Sequence, residues 1–508
     1  LTSPSELHPE PDVIAAVDLG SNSFHLAIAR YVDGALTVVD RLQERVQLAA
    51  GLDADRALEE DAQARAVACL ERFGQRLRDM HASTVRAVGT DTLRVAKNAR
   101  DFIDRASAAL GHPIEVVSGE EEARLIYRGV VHDLPHEDGK RQLVMDIGGG
   151  STEVILGAGL EPDHLSSLRM GCVNFSQRFF SDGRITRERL RDATIAARLE
   201  LERLRGPYFR ADWARTLGSS GTINAIQTVL RDNGWTRDAI TAPALKKLRE
   251  ALAKAGHVDR LAGLSGLKPG RAGVFSGGVA ILHAAFKTLP LVEMRAASGA
   301  MREGVMYDLL GRFAREDVRE TTIRTLMERF RVDHDQALRV ERAALELLER
   351  VAARWFPGDE ERRRAARLLS WSARLHELGQ AIAFHGYHRH GAYVVQHATM
   401  PGFSNDEQAA LAALVLIHRR KLHRPEVDAL PRGQAGNIQR IAILLRLAFR
   451  LNRNRSWRSL PDVSLEVEGR EVTVAFPEGF LDENPLTRAD FEDESSRLRA
   501  AGYTLTIR

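Results

Sequence analysis

The stretch VDLGSNSFHL at Val17–Leu26 returns in altered form as MDIGGGSTEV at Met145–Val154. Aligned on Asp18 and Asp146, both read Asp, an apolar residue, Gly, two small or polar residues, Ser, two more, and an apolar residue. The offset is 128 residues (146 minus 18). A repeat of that length is far longer than a solenoid unit, so it predicts two similar α/β lobes. Their matching loops would then face one another across a cleft.

The rest of the chain fits around this duplication. VIAAV at 13–17 is an apolar run ending at Asp18, Leu26–Val32 alternates, VDG turns, and ALTVVD follows at 35–40: a strand meander. Residues 55–80 carry helical periodicity, and VRAVGTDTLR at 85–94 reads as strand, turn and helix. PIEVVSGEEEARLIYRGV at 113–130 is a strand, then a helix opening on acids with Ser118 as N-cap. The pattern restarts with RQLVMDIGGGSTEVILGAG at 141–159. TLGSSGTINAI at 216–226 is strand, Gly/Ser turn and helix start, and VFSGGVAILHAAF at 274–286 reads the same way. ASGAMREGVMYDLL at 297–310 closes this half with a helix. Beyond about residue 311 the texture changes to long amphipathic helices, rich in Arg, Ala, Leu and His, through 455. A hairpin at 462–481, a helix at 488–501 and a last strand YTLTIR end the chain. The expected domains are lobe I at 12–135, lobe II at 136–310 (joined to the first by residues 1–11), a helical domain at 311–460 and a small α+β unit at 461–508.

The chain has 508 residues, 44% of them hydrophobic and 28% charged, enough for several cores without metal or disulfide staples. Its two cysteines, Cys69 and Cys172, read as buried free thiols of a reducing compartment. No apolar run reaches 18 residues and the polar first residues hold no signal core, so the expected setting is cytoplasmic, with peripheral membrane association left open. A net charge of +3 gives no ground for expecting nucleic acid.

A Gly/Ser loop between strands exposes backbone N–H groups that suit a phosphate, and glycine lets it approach without a Cβ in the way. An Asp at the strand end can hold magnesium through water. One such loop is equally a plain tight turn; two in a duplicated frame, with GSSGT as a third, point to a phosphate clamp. Glu120–Glu122, taken alone, are an acidic first turn that suits the helix dipole. Glu121 and Glu122, with Glu153, are also carboxylates able to orient and deprotonate a water for in-line attack on a terminal phosphoryl group. Glu153 has His25 at the matching place of the first loop, so the lobes are not chemically equivalent.

The loop set resembles the phosphate-clamping loops of the actin, heat-shock-chaperone and sugar-kinase fold. VDLGSNSFH, GTDTLRVAKN, SGEEEARLI, MDIGGGSTE, MGCVNF, LGSSGTINA and REGVMYDLL, in that order over roughly residues 13–310, resemble the exopolyphosphatase / guanosine pentaphosphate phosphohydrolase family. ARLHELGQAI, HRHGAYVVQHATMPGFSNDEQ and LVLIHRRK resemble the helical domain of its long members. The resemblance implies that Glu122 is the general base, with Glu121 the alternative one position away, and that Glu153 helps place the water. It implies that Asp146 and Asp18 act at magnesium, with potassium a second candidate cation. Arg94 would neutralise charge on the transferred phosphoryl group. Gly20, Ser21, Asn22 and Ser23, then Gly148, Gly149, Gly150, Ser151 and Thr152, then Gly218, Ser219, Ser220, Gly221 and Thr222, would clamp phosphate. It also implies a homodimer.

Seven histidines fall between His376 and His423: these two, His385, His388, His390, His397 and His418. Such a cluster invites a metal, but a metal-binding HD site needs His-Asp and this chain has His376-Glu377. The helical domain therefore resembles an HD fold without its metal. His388, Arg389 and His390 with Arg419, Arg420 and Lys421 could form a basic track for a polyanion, as could Arg362–Arg364; a solvated arginine face is the plainer account.

These observations predict an α/β protein: a duplicated actin-like phosphatase core, a C-terminal all-α HD-like domain and a small α+β end. The expected reaction is hydrolysis of a terminal phosphoanhydride bond. Inorganic polyphosphate is the first expected substrate and guanosine pentaphosphate (pppGpp) the alternative. A sugar-kinase-like phosphotransferase would need an adenine pocket and an acid poised on a substrate hydroxyl. A non-catalytic nucleotide-binding regulator would have no use for a basic helical half.

Overall fold

The computed structural model describes residues 12–32, 35–132, 140–204, 206–210, 212–313, 317–422, 425–431, 433–455 and 461–508. The joining role expected of residues 1–11, the turn at Asp33–Gly34, the lobe boundary at 135/136 and His423 lie outside these. The chain forms two compact units, Leu1–Asp317 and Val318–Arg508. Among the described residues no helix is long and apolar enough to cross a membrane.

In the first unit, β1 (Val13–Leu19), β2 (Phe24–Val32) and β3 (Ala35–Glu44) form an antiparallel meander. Helix α1 (Glu60–Leu77) buries Ala62, Ala66, Cys69, Leu70, Phe73 and Leu77, one face at helical spacing. Then come β4 (Val85–Gly89), α2 (Asp91–Val95), α3 (Ala99–Leu110), β5 (Ile114–Val116) and α4 (Gly119–Val131). The sheet order is β3-β2-β1-β4-β5, with β1, β4 and β5 parallel.

The second lobe repeats this plan. Strands β6 (Arg141–Ile147), β7 (Thr152–Ala158) and β8 (Glu161–Leu168) form its meander. Helices α5 (Cys172–Phe179), α6 (Arg187–Leu201) and α7 (Pro207–Arg210) follow. Next are β9 (Arg215–Ser219), α8 (Ser220–Asp232), β10 (Ile240–Thr241), α9 (Ala242–Ala255), α10 (Ala272–Thr288), β11 (Glu293–Ala296) and α11 (Met301–Phe313). The order β8-β7-β6-β9-β11 matches that of the first sheet, with β10 added at the edge. The match extends to the register: Asp18 faces His25 across β1 and β2, and Asp146 faces Glu153 across β6 and β7.

One element corrects the sequence reading. VFSGGVAILHAAF is not a strand and turn but lies within the single helix α10, buried from Phe275 to Phe286. Gly277 and Gly278 serve helix packing, since a Cβ on either would meet Ser176 Oγ at 2.6 Å or Thr222 Cγ2 at 2.3 Å. A uniformly apolar run carries no period to separate strand from helix.

The lobes exchange helices. α4, from the first repeat, packs on β7 and β8, while α11, at the end of the second, packs on β1 and β2. The two helices cross backbone to backbone: a Cβ on Gly129 would lie 2.0 Å from the Ala300 carbonyl oxygen, and one on Gly304 1.8 Å from that of Leu125. One apolar cluster between the sheets joins Ile14 and Val88 to Leu125, Val144, Ile155 and Met306. Beside it a buried ionic knot ties the same elements. Arg124 donates to Glu121 at 2.7 and 2.8 Å and to Asp308, and Arg86 donates to Asp308 at 2.6 Å.

The second unit holds α12 (Val318–Arg329), α13 (His334–Trp355), α14 (Asp359–Leu375), α15 (Tyr387–His397), α16 (Asn405–Ile417), α17 (Pro425–Asp428) and α18 (Gln434–Leu451). After these come β12 (Ser464–Glu468), β13 (Glu471–Ala475), α19 (Phe480–Glu483), α20 (Pro485–Arg499) and β14 (Thr504–Ile507). Residues 461–508 do not stand as a domain of their own. Leu465, Val472, Phe491 and Leu505 share one core with Leu347, Leu414 and Leu444 of the helices. Buried Arg446 of α18 fastens the two parts, donating to Glu494 of α20 at 2.5 Å and to the Ile417 carbonyl at 2.6 Å.

Candidate active site

The exchange of α4 brings its first turn against the second lobe, and the carboxylates converge there. Ser118 caps α4, its hydroxyl accepting from the Glu121 N–H at 3.1 Å. Glu122 then projects to Arg94, whose Nη1 donates to Glu122 Oε2 at 2.7 Å and to the Val117 carbonyl at 3.1 Å. Burial raises the Glu122 pKa above the usual carboxylate range; Arg94 opposes this and the charge of Asp91 adds to it.

Glu153 is fully buried on β7. Its Oε1 accepts from the Ser167 hydroxyl at 2.7 Å, and its Oε2 has no hydrogen-bond partner among the described residues. Burial, then the charges of Glu122 and Asp146, push its pKa well up. Burial, then Glu122, raise Asp18 to about 7, and Asp18 Oδ1 also lacks a partner among the described residues. Asp146 is raised to about 7 by burial, against a hydrogen bond from Ser219. His25, opposite Asp18, goes the other way. Burial, then Arg302 and Arg271, lower it to about 4, so its neutral Nδ1 accepts from Arg302 Nη1 at 3.3 Å.

Glu121 is turned away from this group. Both its oxygens accept from Arg124, and Arg86 lies 3.7 Å from it. With both oxygens committed to Arg124, Glu121 belongs to the ionic knot beside the cleft, whereas Glu122 faces Arg94.

The loops meet closely. None of Gly148, Gly149 and Gly150 needs a positive φ; Gly149 and Gly150 are crowded by the first loop and Asp91, and Gly148 by the Ser151 carbonyl oxygen of its own loop at 3.1 Å. A Cβ on Gly149 would lie 2.8 Å from Ser21 Cβ and 3.4 Å from the Asn22 nitrogen, and one on Gly150 2.0 Å from Asp91 Oδ2. Gly20 is crowded by the Ser23 carbonyl oxygen at 2.9 Å. The Ser21 hydroxyl accepts from Thr92 at 2.8 Å. Two expected phosphate donors are committed elsewhere: the Thr152 hydroxyl donates to the Met170 carbonyl at 2.6 Å, and the buried Ser219 hydroxyl donates to the Gly299 carbonyl at 3.4 Å. In the third loop Ser220 has φ +89°, a strained conformation for a side-chain-bearing residue. Arg271 packs on Gly221 of this loop, with its Nη2 1.8 Å from where a Gly221 Cβ would be.

Sequence reasoning missed Asp91, Ser167, Arg271 and Arg302. Asp91 lies in GTDTLRVAKN, three residues before Arg94, and Arg302 opens REGVMYDLL, so both sat inside quoted motifs without being singled out. Ser167 and Arg271 lie outside those motifs and reach the site through the fold.

In the second unit the histidines do not form a polar face. His376 and His418 are buried and His388 is only 5% exposed. The rings of His376 and His418 stack edge to face at 5.5 Å, and burial lowers both pKa values. His388 therefore drops out of the basic track. Arg419 lies over the Tyr387 ring at 4.6 Å, and Arg389, Arg420 and Lys421 are exposed, with His390 half-buried. Glu377 accepts from Arg455 at 2.5 Å. Among the described residues no three His, Cys, Asp or Glu side chains are grouped to hold a metal ion.

Residues 27–313 match the Ppx/GppA phosphatase family, and residues 318–495 match domain III of Ppx/GppA phosphatases. The chain belongs to the Ppx/GppA phosphatase family. Like its Ppx/GppA relatives it is a hydrolase of phosphoanhydride bonds, and its paired lobes have the actin-like fold. The chain is 39% identical over 495 residues to a guanosine-5'-triphosphate,3'-diphosphate pyrophosphatase of Vibrio vulnificus (strain YJ016), covering 97% of each. It is 38% identical over 500 residues to the protein of that name from Pseudoalteromonas atlantica, covering 98% of each. Among solved structures, an exopolyphosphatase from Cytophaga hutchinsonii is 26% identical with a TM-score of 0.51, covering 59% of this chain and 97% of that one. The Aquifex aeolicus member of the Ppx/GppA family is 26% identical with a TM-score of 0.50, covering 60% of this chain and 98% of that one.

Proposed function

We propose that this Ppx/GppA phosphatase removes the terminal 5′-phosphate of pppGpp. The observation that carries this reading is the set of relatives alike over nearly their whole length and named for that substrate. It reverses the order expected from the sequence. Polyphosphate was the first expected substrate there and pppGpp the alternative. Inorganic polyphosphate is the second reading, supported by the exopolyphosphatase among the structural neighbours.

The chemistry is hydrolytic. Glu122, on a helix that reaches the opposite lobe, takes the proton from the attacking water. Glu153, with one oxygen held by Ser167 and the other unbonded, orients that water. Carboxylates raised by burial are better matched to proton transfer near neutral pH than exposed ones. Arg94 offsets charge on the transferred phosphoryl group.

Asp18 and Asp146 fit a divalent cation. They are buried acids, and the unbonded Asp18 Oδ1 leaves an acceptor available. Magnesium, which binds through few carboxylates and several waters, would supply further charge neutralisation there, with potassium a second candidate. The buried free thiols Cys69 and Cys172 support a reducing, cytoplasmic setting. A homodimer is part of this reading and is checked by light scattering.

The deciding assay times phosphate release from pppGpp and from long-chain polyphosphate, offered separately with magnesium. A kcat/KM higher for pppGpp is expected, and a preference for polyphosphate would restore the second reading. Glu122→Ala should lower kcat by about 100-fold or more while sparing binding. A variant near the wild-type rate would reject Glu122 as base.

A further inference from the structure

We infer that Asp91 sets the anion affinity of the cleft, standing between the two phosphate loops as a deliberate negative charge. Its Oδ2 lies 2.0 Å from the point a Gly150 Cβ would occupy, and Ser21 Oγ lies 3.3 Å from the same point. Asp91 thus stands where the first loop meets the second. Its Oδ1 is 3.6 Å from Arg94 Nη2, while Arg94 Nη1 donates to Glu122 at 2.7 Å. Arg94 is therefore shared by two carboxylates before any substrate arrives, and it is the one cation paired with Asp91 among the described residues.

An anion entering the loops meets Asp91 at close range and must draw Arg94 partly away from it. In a half-dry cleft, where charges interact more strongly than in water, this weakens ground-state binding. It also keeps the product phosphate from lodging there. A helix-end acid would have a simpler role, favouring the helix dipole. But α2 spans only Asp91–Val95, and such an acid affects stability rather than anion affinity.

The inference rests on the cleft being the phosphate site, and its test separates the two. Inorganic tripolyphosphate is titrated calorimetrically into the full-length protein, and steady-state kinetics are run alongside with pppGpp. Asp91→Asn should bind tripolyphosphate about tenfold more tightly and lower KM by a similar factor, without raising kcat. Asp104→Asn removes an exposed acid of α3 in the same lobe and should stay within about twofold of wild type, which controls for net charge. If Asp91→Asn does not fold, as judged by its thermal melt, Asp91→Ser carries the same expectation. Unchanged or weaker binding in a folded Asp91 variant, with a wild type that binds and hydrolyses, overturns the role of Asp91 alone. A wild type that neither binds tripolyphosphate nor releases phosphate overturns this inference and the proposed function together.

Discussion

His25 and Glu153 occupy the same place in the two repeats and are driven in opposite directions by the same cause. Burial disfavours charge, so it holds the imidazole neutral and pushes the carboxyl toward protonation. For His25 the sign of the pH effect follows directly. Its folded pKa, about 4, lies below the unfolded 6.5, so its contribution is complete above pH 6.5 and is lost as the pH falls toward 4. Replacing His25 with Asn should remove that loss. Denaturant unfolding at pH 7.5, 6 and 5 should show wild type losing on the order of 2 kcal/mol relative to His25→Asn. A constant gap would refute the assignment. The acids of the site were legible because they sit inside short motifs that carry their own chemistry. Thr152 was not, although the pattern held the clue. Neighbours on a strand point to opposite faces, so a Glu153 directed at the cleft turns Thr152 toward Met170.

The elements fall into two groups, those whose sequence carries a period and those fixed by partners. The two meanders and α1 could be read from alternation and helical spacing, and the 128-residue offset foretold a common sheet order. α10 could not, because it is buried all round and shows no polar face. Nor could the exchange of α4 and α11, which depends on glycines whose neighbours are remote in sequence. That crossing makes a sharp prediction. A side chain on Gly304 would press on the Leu125 backbone, which cannot rotate aside. Gly304→Val should therefore cost about 3 kcal/mol or more by chemical denaturation and lower kcat as α4 shifts. A loss below about 1 kcal/mol would mean the helices can separate without penalty.

For the whole molecule, the division after Asp317 coincides with the gap between the two family matches, at 313 and 318. The second unit has a continuous core running from Ile323 to Leu505. A fragment of residues 318–508 should accordingly fold alone, with a helical circular dichroism spectrum and one cooperative melt. A non-cooperative melt would show that its core is incomplete. The sequence placed this boundary seven residues early, at 310 against 317, because a helix that closes one core and a helix that opens the next look alike in composition. The C-terminal strands read as a separate unit for a similar reason: a hairpin shows its alternation but not what covers it.

The exchanged helices bear on how the protein is made. The sheet carrying Asp18 is covered by a helix that ends at Phe313, and the sheet carrying Glu153 is covered by one begun at Gly119. On the ribosome, the first repeat would emerge complete in sequence yet lack the helix that seals its inner face. It must wait with that face open for nearly two hundred more residues, about ten to forty seconds at ordinary translation rates. Neither repeat can finish before the other, so the catalytic cleft forms in the same event that closes both cores.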